Sequence, residues 1–207
     1  TCAELDNDDL ICWGANDFGQ LGMGNTSYLG DDLDEVGDDF AIVDLPPGRN
    51  VSQLALGKTH TCAIWDDGSV SCWGDTEQIG NGDWLDRNTP TLTSNFGIGR
   101  TAIAISAGEA HTCVILDNGS VSCWGHGGSG RLGNGDTEQR LSPTLTNTLG
   151  HGRTAVEISS GHSHTCAVLD NGSVSCWGSG TYGKLGISDL STNDMPTPQL
   201  IDSLGSG

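Results

Sequence analysis

Residues 111–125 read His-Thr-Cys-Val-Ile-Leu-Asp-Asn-Gly-Ser-Val-Ser-Cys-Trp-Gly, and the chain repeats this string. It recurs almost unchanged at residues 164–178 and closely at residues 60–74, and a degraded copy occupies residues 1–14. After three of the copies comes a Gly-x-Leu-Gly element, at residues 19–22, 130–133 and 183–186. A period of about 50 residues with this many internal matches is the signature of a repeat architecture. We divide the single array, residues 1–207, into units of approximately 1–50, 51–100, 101–152 and 153–207.

Each unit is predicted to form four short strands. Residues 101–107 form the first strand, with Ile103 and Ile105 on one face. Residues 112–116 and 120–124 form a hairpin around Asp117-Asn118-Gly119. The fourth strand contains Pro143, which suits an outer edge because proline cannot donate a ladder hydrogen bond. The predicted fold class is therefore all-β, with β-propeller blades of four antiparallel strands in four repeats, as a partial or open propeller.

The eight cysteines fall into four pairs, each with a spacing of ten residues. With a three-residue hairpin loop and Gly119 in the left-handed conformation, Ile115 faces Val121 and Cys113 lies opposite Cys123. Opposed strand positions come within disulfide range. Zinc-binding cysteines usually lie two to four residues apart, and a redox pair would need Cys-x-x-Cys. We therefore predict one disulfide per blade: Cys2–Cys12, Cys62–Cys72, Cys113–Cys123 and Cys166–Cys176. Disulfides place the protein in an oxidising compartment, as an extracellular, secreted or cell-surface protein.

Composition and charge exclude several classes of partner. The formal net charge is −19, with eight Lys and Arg against 27 Asp and Glu, a field that repels phosphate backbones and anionic lipid. We expect no nucleic-acid partner. No apolar run approaches the roughly 20 residues needed to cross a bilayer, so we expect no membrane insertion. The chain begins at Thr1 without an apolar leader, as in a mature or excised segment.

The repeat resembles the regulator-of-chromosome-condensation family. The resemblance lies in His-Thr-Cys-x-x-x-Asp-x-Gly-x-Val-x-Cys-Trp-Gly followed by Gly-x-Leu-Gly, and it covers essentially the whole chain. It implies a β-propeller, usually of seven blades. The paired cysteines look like the secreted, cysteine-paired prokaryotic branch. One branch of the family exchanges nucleotide on a small GTPase at chromatin, but this acidic, cysteine-paired chain does not fit that role, and fold alone does not transfer function.

The repeated aromatic and imidazole side chains are interpreted as packing residues. His60, His111 and His164 recur at one position, as do four tryptophans, which we expect to pack between blades: Trp13, Trp73, Trp124 and Trp177. The unpatterned residues His126, His151 and His162 are read as surface residues, with a weak metal contact as the alternative. Carbohydrate stacking would need exposed aromatic residues outside the repeat pattern, for which the candidates are Tyr28, Trp84 and Tyr182.

An acidic insertion in the first unit is the candidate metal site. Its carboxylates are Asp31, Asp32, Asp34, Glu35, Asp38 and Asp39. Calcium takes such oxygen clusters, although Val36 breaks the EF-hand pattern. A solvated acidic loop is the competing interpretation. We expect no other cofactor.

The sequence contains no recognisable catalytic constellation, since its serines and aspartates occupy repeated turn positions. We therefore predict a non-catalytic, extracellular repeat protein that acts as a protein-binding or structural scaffold, with a protein partner or copies of itself. The chain carries four hairpins but three first strands, and an open blade edge is a template for strand addition. This favours, as alternatives, end-to-end homo-assembly into a filament or surface layer, or an inhibitor or regulatory domain of a larger secreted protein.

Overall fold

The computed structural model describes residues 1–32, 35, 42–150, 152–187 and 193–201. These residues form one two-stranded and three four-stranded antiparallel sheets. In the first blade β1 pairs with β2, and Ile11 of β2 forms an isolated bridge with Ile42. Strand order follows chain order within every other blade. The strands are β1 (Cys2–Glu4) and β2 (Leu10–Cys12); β3 (Val51–Leu56), β4 (His60–Trp65), β5 (Val70–Gly74) and β6 (Arg87–Leu92); β7 (Ala102–Ala107), β8 (His111–Leu116), β9 (Val121–Gly125) and β10 (Arg140–Leu145); and β11 (Ala155–Ser160), β12 (His164–Leu169), β13 (Val174–Gly178) and β14 (Met195–Leu200).

The hairpin register predicted from the cysteine spacing is confirmed. Ile115 pairs with Val121 and Cys113 with Cys123, and Gly119 has a left-handed φ of +75°. The Cα atoms of each cysteine pair lie 4.1 Å apart, a close approach that is typical of non-hydrogen-bonded pairs in antiparallel sheets. One disulfide therefore closes each hairpin: Cys2–Cys12, Cys62–Cys72, Cys113–Cys123 and Cys166–Cys176.

A β-bulge in the first strand corrects the predicted face of Ile103. The register of β7 against β8 shifts between Ala102 and Ala104. A bulge adds one residue to one strand and interrupts the alternation of side chains. Ile103 is 52% exposed, whereas Ile105 packs against the core. The two isoleucines therefore do not share a face, and the same shift occurs at the start of β3 and β11.

The order of strands sets which edge of each blade is inside. The first strands of successive blades, β3, β7 and β11, contact one another, so they lie on the inner side of the array. The fourth strands, β6, β10 and β14, are the outer edges. Pro90, Pro143 and Pro196 lie in these outer strands, where the missing N–H breaks no ladder.

The hydrophobic core lies between blades. One cluster joins Cys113, Ile115 and Leu132 of the third blade to Leu169 and Trp177 of the fourth. Equivalent clusters join the second blade to the third and the first to the second. A single sheet cannot cover its own apolar faces, and burial stabilises each large side chain by about 1.5–3 kcal/mol. Stacking of neighbouring blades is therefore what forms the core.

The Gly-x-Leu-Gly element is explained by a contact with the next blade. The indole Nε1 of Trp177 donates a hydrogen bond of 2.9 Å to the backbone carbonyl of Arg131. Gly133, two residues later, has a φ of +70°, and a Cβ at this position would lie 2.7 Å from the same indole nitrogen. Trp124 and Gly80 have the equivalent relation. The final glycine of the element is thus required both by its backbone conformation and by the neighbouring tryptophan.

The repeated histidines form a second contact between blades. Nε2 of His111 lies 2.9 Å from Oγ1 of Thr165, and that hydroxyl donates to the carbonyl of Arg131 at 3.2 Å. Because the hydroxyl hydrogen is used there, the imidazole donates through Nε2. His60 and Thr112 repeat the contact at 2.8 Å. The packing interpretation of these histidines is confirmed.

The connections divide the array into two faces. The loop face carries the connections between first and second strands, residues 57–59, 108–110 and 161–163, and those between third and fourth strands. The turn face carries the tight hairpin turns at residues 66–69, 117–120 and 170–173 and the segments that lead from one blade to the next. Among the described residues, no helix has the length and apolar character to cross a lipid bilayer.

Candidate binding face

The turn face repeats one arrangement in every four-stranded blade. In each hairpin turn the side chain of Asp67, Asn118 or Asn171 accepts a hydrogen bond from the backbone N–H two residues later. An arginine before the first strand pairs with an aspartate of the turn: Arg49 with Asp67, Arg100 with Asp117, and Arg153 with Asp170. Such exposed pairs contribute little stability. The paired aspartate is the second residue of the turn in the second blade and the first residue in the third and fourth blades. The arginine and the capped turn recur in all three blades, which indicates turn chemistry.

The loop face differs from blade to blade at equivalent positions. The residues after Gly57, Gly108 and Gly161 are Lys58, Glu109 and His162. They meet, because Glu109 lies 3.0 Å from Nζ of Lys58 through one oxygen and 2.8 Å from Nε2 of His162 through the other. The hydrogen bond from Lys58 lowers the pKa of Glu109, and the nearby His162 and Arg131 add to this effect. Three blades are thereby joined near the inner edge by charged side chains.

A cleft between the second and third blades opens on the loop face. Its cavity volume is about 450 Å³. Trp84, which is 63% exposed, stands at its wall on the second blade. We call it the Trp84 cleft; its lining residues are Lys58, Thr59, Asp75, Thr76, Glu77, Gln78, Trp84, Glu109, Ala110, His126 and Arg131.

The three exposed aromatic side chains singled out from the sequence all lie in loop-face connections. Trp84 is exposed on the second blade, Tyr28 is 44% exposed on the first, and Tyr182 is 95% exposed on the fourth. The hydroxyl of Tyr28 donates a hydrogen bond to Asp17 at 2.5 Å, and this bond raises the pKa of Tyr28. Tyr182 holds a left-handed φ of +62°, a conformation that is unusual for a bulky residue and that often marks functional positions.

Buried histidines are excluded as ligands for an external group. Burial lowers the pKa of His60 and of His111 to about 3, and it also lowers the pKa of His164. His162 is an exposed residue whose ring pairs with Glu109, and Nδ1 of His126 accepts from the backbone N–H of Gly128. His151 lies outside the described residues.

The acidic insertion is described only in part. Asp34, Asp38 and Asp39 lie outside the described residues. The carboxylate of Glu35 accepts hydrogen bonds from the backbone N–H groups of Gly30 and Asp32, which lower its pKa. In the part of the chain that is described, no three His, Cys, Asp or Glu side chains gather closely enough to hold a metal ion. Calcium binding by the insertion stays a prediction.

Sequence reasoning did not single out the loop-face contacts of Lys58, Glu109 and Arg131. The sequence did contain a signal for Lys58 and Glu109. Each directly follows the glycine that stands three residues before the repeated histidine. A position whose charge differs between otherwise uniform repeats is not set by blade packing and indicates a surface that can bind a partner. The Trp84 cleft itself had no such signal, because its walls come from two blades.

The geometry defines a class of protein, a disulfide-bonded array of propeller blades with a uniform turn face and a variable loop face. A family model described as the regulator of chromosome condensation (RCC1) repeat matches residues 7–64 and 118–168. A second model of the same description matches residues 51–78, 102–131 and 155–184. The chain belongs to the RCC1 repeat family.

Relatives of known identity agree with this assignment. The ultraviolet-B receptor UVR8 of Arabidopsis thaliana is 35% identical over 160 residues, which cover 76% of this chain and 36% of the receptor. The human E3 ubiquitin-protein ligase HERC2 is 33% identical over 165 residues, 75% of this chain and 3% of the ligase. Yeast RCC1 (Prp20), solved bound to Kap60, matches with a TM-score of 0.82 and 25% identity over 99% of this chain and 47% of RCC1. The chain spans less than half of each, and the likeness confirms the predicted all-β propeller-type fold.

Proposed function

We propose that this chain is an extracellular protein-binding propeller domain that contacts its partner through the loop face. The observation that carries the proposal is the contrast between the two faces. Equivalent positions on the turn face hold the same capped turns and an arginine that pairs with one of the turn aspartates, whereas those on the loop face hold Lys58, Glu109 and His162. Binding residues concentrate on loops that a rigid scaffold positions.

Exposed aromatic residues support this face in particular. Trp84 and Tyr182 are large, rigid side chains of the kind that dominate binding energy at protein interfaces. Yeast RCC1, a relative of similar fold, was solved in complex with another protein, Kap60. On this proposal the domain acts by binding and not by catalysis.

The four disulfides indicate an oxidising compartment and support an extracellular location. They also support assignment to the secreted, cysteine-paired prokaryotic branch of the family. Two variants of this binding role differ in the identity of the partner. In one, the chain associates with copies of itself; in the other, it is an inhibitor or regulatory domain of a larger secreted protein.

Site-specific photocrosslinking tests the proposal. A benzoylphenylalanine residue replaces Trp84 or Tyr182 on the loop face, and Ile98 or Asp66, both exposed, on the turn face. Each variant is irradiated with extracellular material from the source organism, and products are identified by mass spectrometry. We expect heterologous protein adducts from the loop-face positions. Equal adducts from the turn face, or none from the loop face, would refute the assignment; adducts of the chain with itself identify a second copy as the partner.

A further inference from the structure

The Trp84 cleft has two walls of different electrostatic character. The wall on the second blade is formed by the β5–β6 connection, residues 75–86, which contains four acidic residues and no Lys or Arg. Asp75, Glu77 and the indole of Trp84 line the cleft, and the side chain of Asp86 is bonded to the backbone N–H of Thr76. Thr76 also lines the cleft, and its buried Oγ1 has no hydrogen-bond partner among the described residues.

The basic groups of the opposite wall are already engaged. Lys58 pairs with Glu109 at 3.0 Å. Arg131 donates to the carbonyl oxygens of Gly128 at 2.9 Å and His162 at 3.3 Å. Lys58 is therefore directed at Glu109 and Arg131 at backbone carbonyls, and among the described residues neither forms an ion pair with Asp75 or Glu77.

Three of the four carboxylates in this connection lack a cationic partner among the described residues, whereas the fourth, Asp83, pairs with Arg87. Among the residues that the structure describes, neither Asp75 nor Glu77 nor Asp86 forms an ion pair. Burial raises the pKa of Asp75, and the charges of Asp86 and Glu77 raise it further. A cation entering the cleft would relieve this repulsion, because an opposite charge within a few ångströms stabilises the ionised carboxylate.

Resting on the proposed protein-binding function, we propose that the Trp84 cleft receives an arginine or lysine side chain from a basic segment of the partner protein. The cationic group lies over the indole of Trp84 and pairs with Asp75 and Glu77. Cations are attracted to tryptophan faces, and a guanidinium can engage a carboxylate through two hydrogen bonds. The net charge of −19 draws a basic partner toward the molecule.

The test uses a synthetic eight-residue peptide of alternating glycine and arginine, and a second peptide with citrulline, the neutral isostere, at each arginine. The indole N–H resonance of Trp84 is assigned as the one missing from Trp84→Ala. We expect this resonance to shift with the arginine peptide and not with the citrulline peptide. The doubly substituted Asp75→Asn, Glu77→Gln chain should bind the arginine peptide about tenfold more weakly.

A matched control separates the cleft from the overall charge. The double variant Asp6→Asn, Asp66→Asn also removes two exposed carboxylates, from the hairpin turns at residues 5–9 and 66–69, and should leave affinity unchanged. Equal binding of the citrulline peptide, or an equal loss in this control variant, would overturn the proposal. So would a shift of Trp84 with cellotetraose in place of the arginine peptide, which would make the cleft a carbohydrate site. Circular dichroism verifies that each variant is folded.

Failure here is distinguishable from failure of the binding function. The photocrosslinks from position 182 are repeated in the Asp75→Asn, Glu77→Gln chain. If those adducts persist undiminished, the loop face binds a protein and the cleft is not the cation-binding element. If the chain with Asp75 and Glu77 unchanged gives no protein adducts from its loop-face positions, the proposed protein-binding function itself is wrong.

Discussion

Adding one methyl group at Gly133 should separate two contributions to the free energy of unfolding, that of the contact between blades and that of the backbone conformation. In Gly133→Ala the new Cβ would lie 2.7 Å from Nε1 and 2.9 Å from Cδ1 of Trp177. Trp177 is fully buried and bonded to the carbonyl of Arg131, so the ring can move only by disturbing the core and losing that bond. Gly186 occupies the same position of the fourth repeat, with a φ of +67°, and a Cβ there would meet Ile201 at 3.4 Å.

The two substitutions share one cost and differ in another. Placing alanine in the left-handed conformation costs about 1–2 kcal/mol in either variant. Overpacking of a core adds about 1–3 kcal/mol, and loss of a hydrogen bond adds about 1 kcal/mol, in Gly133→Ala alone. We expect the free energy of unfolding to fall by about 3–6 kcal/mol in Gly133→Ala and by about 1–2 kcal/mol in Gly186→Ala.

Chemical denaturation provides the measurement. Urea titrations followed by far-ultraviolet circular dichroism give the midpoints and slopes of both variants. Tryptophan fluorescence adds a local readout, because displacement of Trp177 from its buried site should shift emission to longer wavelength in Gly133→Ala only. Equal loss of stability in the two variants would show that the glycine is needed for its backbone conformation alone, and the assigned role of the tryptophan contact would be wrong.

Three further outcomes are expected. Burial lowers the folded-state pKa of His60 and His111 to about 3 from an unfolded value near 6.5, so between these values the unfolded chain binds more protons, and stability is full above about pH 6.5 and falls by about 2–3 kcal/mol per histidine at pH 4.5. Urea midpoints measured across pH should therefore fall less steeply on the acid side in the double variant His60→Asn, His111→Asn than in the exposed control His126→Asn. Parallel pH dependences in the two variants would contradict this. Replacing Cys113 and Cys123 by alanine should lower the free energy of unfolding by about 2–3 kcal/mol, and the difference should become much smaller when both the variant and the unsubstituted protein are measured after full reduction of every disulfide. Calcium should raise the melting temperature if the acidic insertion binds it; an unchanged temperature at millimolar calcium removes that site.

The hairpins were predictable because their information is local. Ten residues between cysteines and a central Asp-Asn-Gly leave one three-residue loop that opposes Cys113 to Cys123, and the structure has that register. The bulge before Ala104 was not predictable. Ile103 and Ile105 alternate as a regular strand would, and only packing of β7 between neighbouring blades reveals the extra residue.

The candidate site was predictable in part. Tyr28, Trp84 and Tyr182 could be listed from the sequence, because they fall outside the repeat whose tryptophans at positions 73, 124 and 177 are buried. The assembly of Trp84 with Glu109 and Arg131 could not be predicted, since the Trp84 cleft joins residues of separate blades. Distances between blades depend on how sheets stack, and a repeat pattern does not encode those distances.

The tryptophan–carbonyl hydrogen bonds between successive blades constrain how repeats can be gained or lost in such a protein. The third and fourth units each donate an indole N–H to the blade before, and the second and third units offer a carbonyl and a bare glycine to their successors. Duplication of one whole unit would therefore place both halves of the contact beside suitable neighbours without any compensating substitution. Loss of half a unit would leave an indole and a carbonyl unmatched in the interior, so viable insertions and deletions should occur in whole repeats.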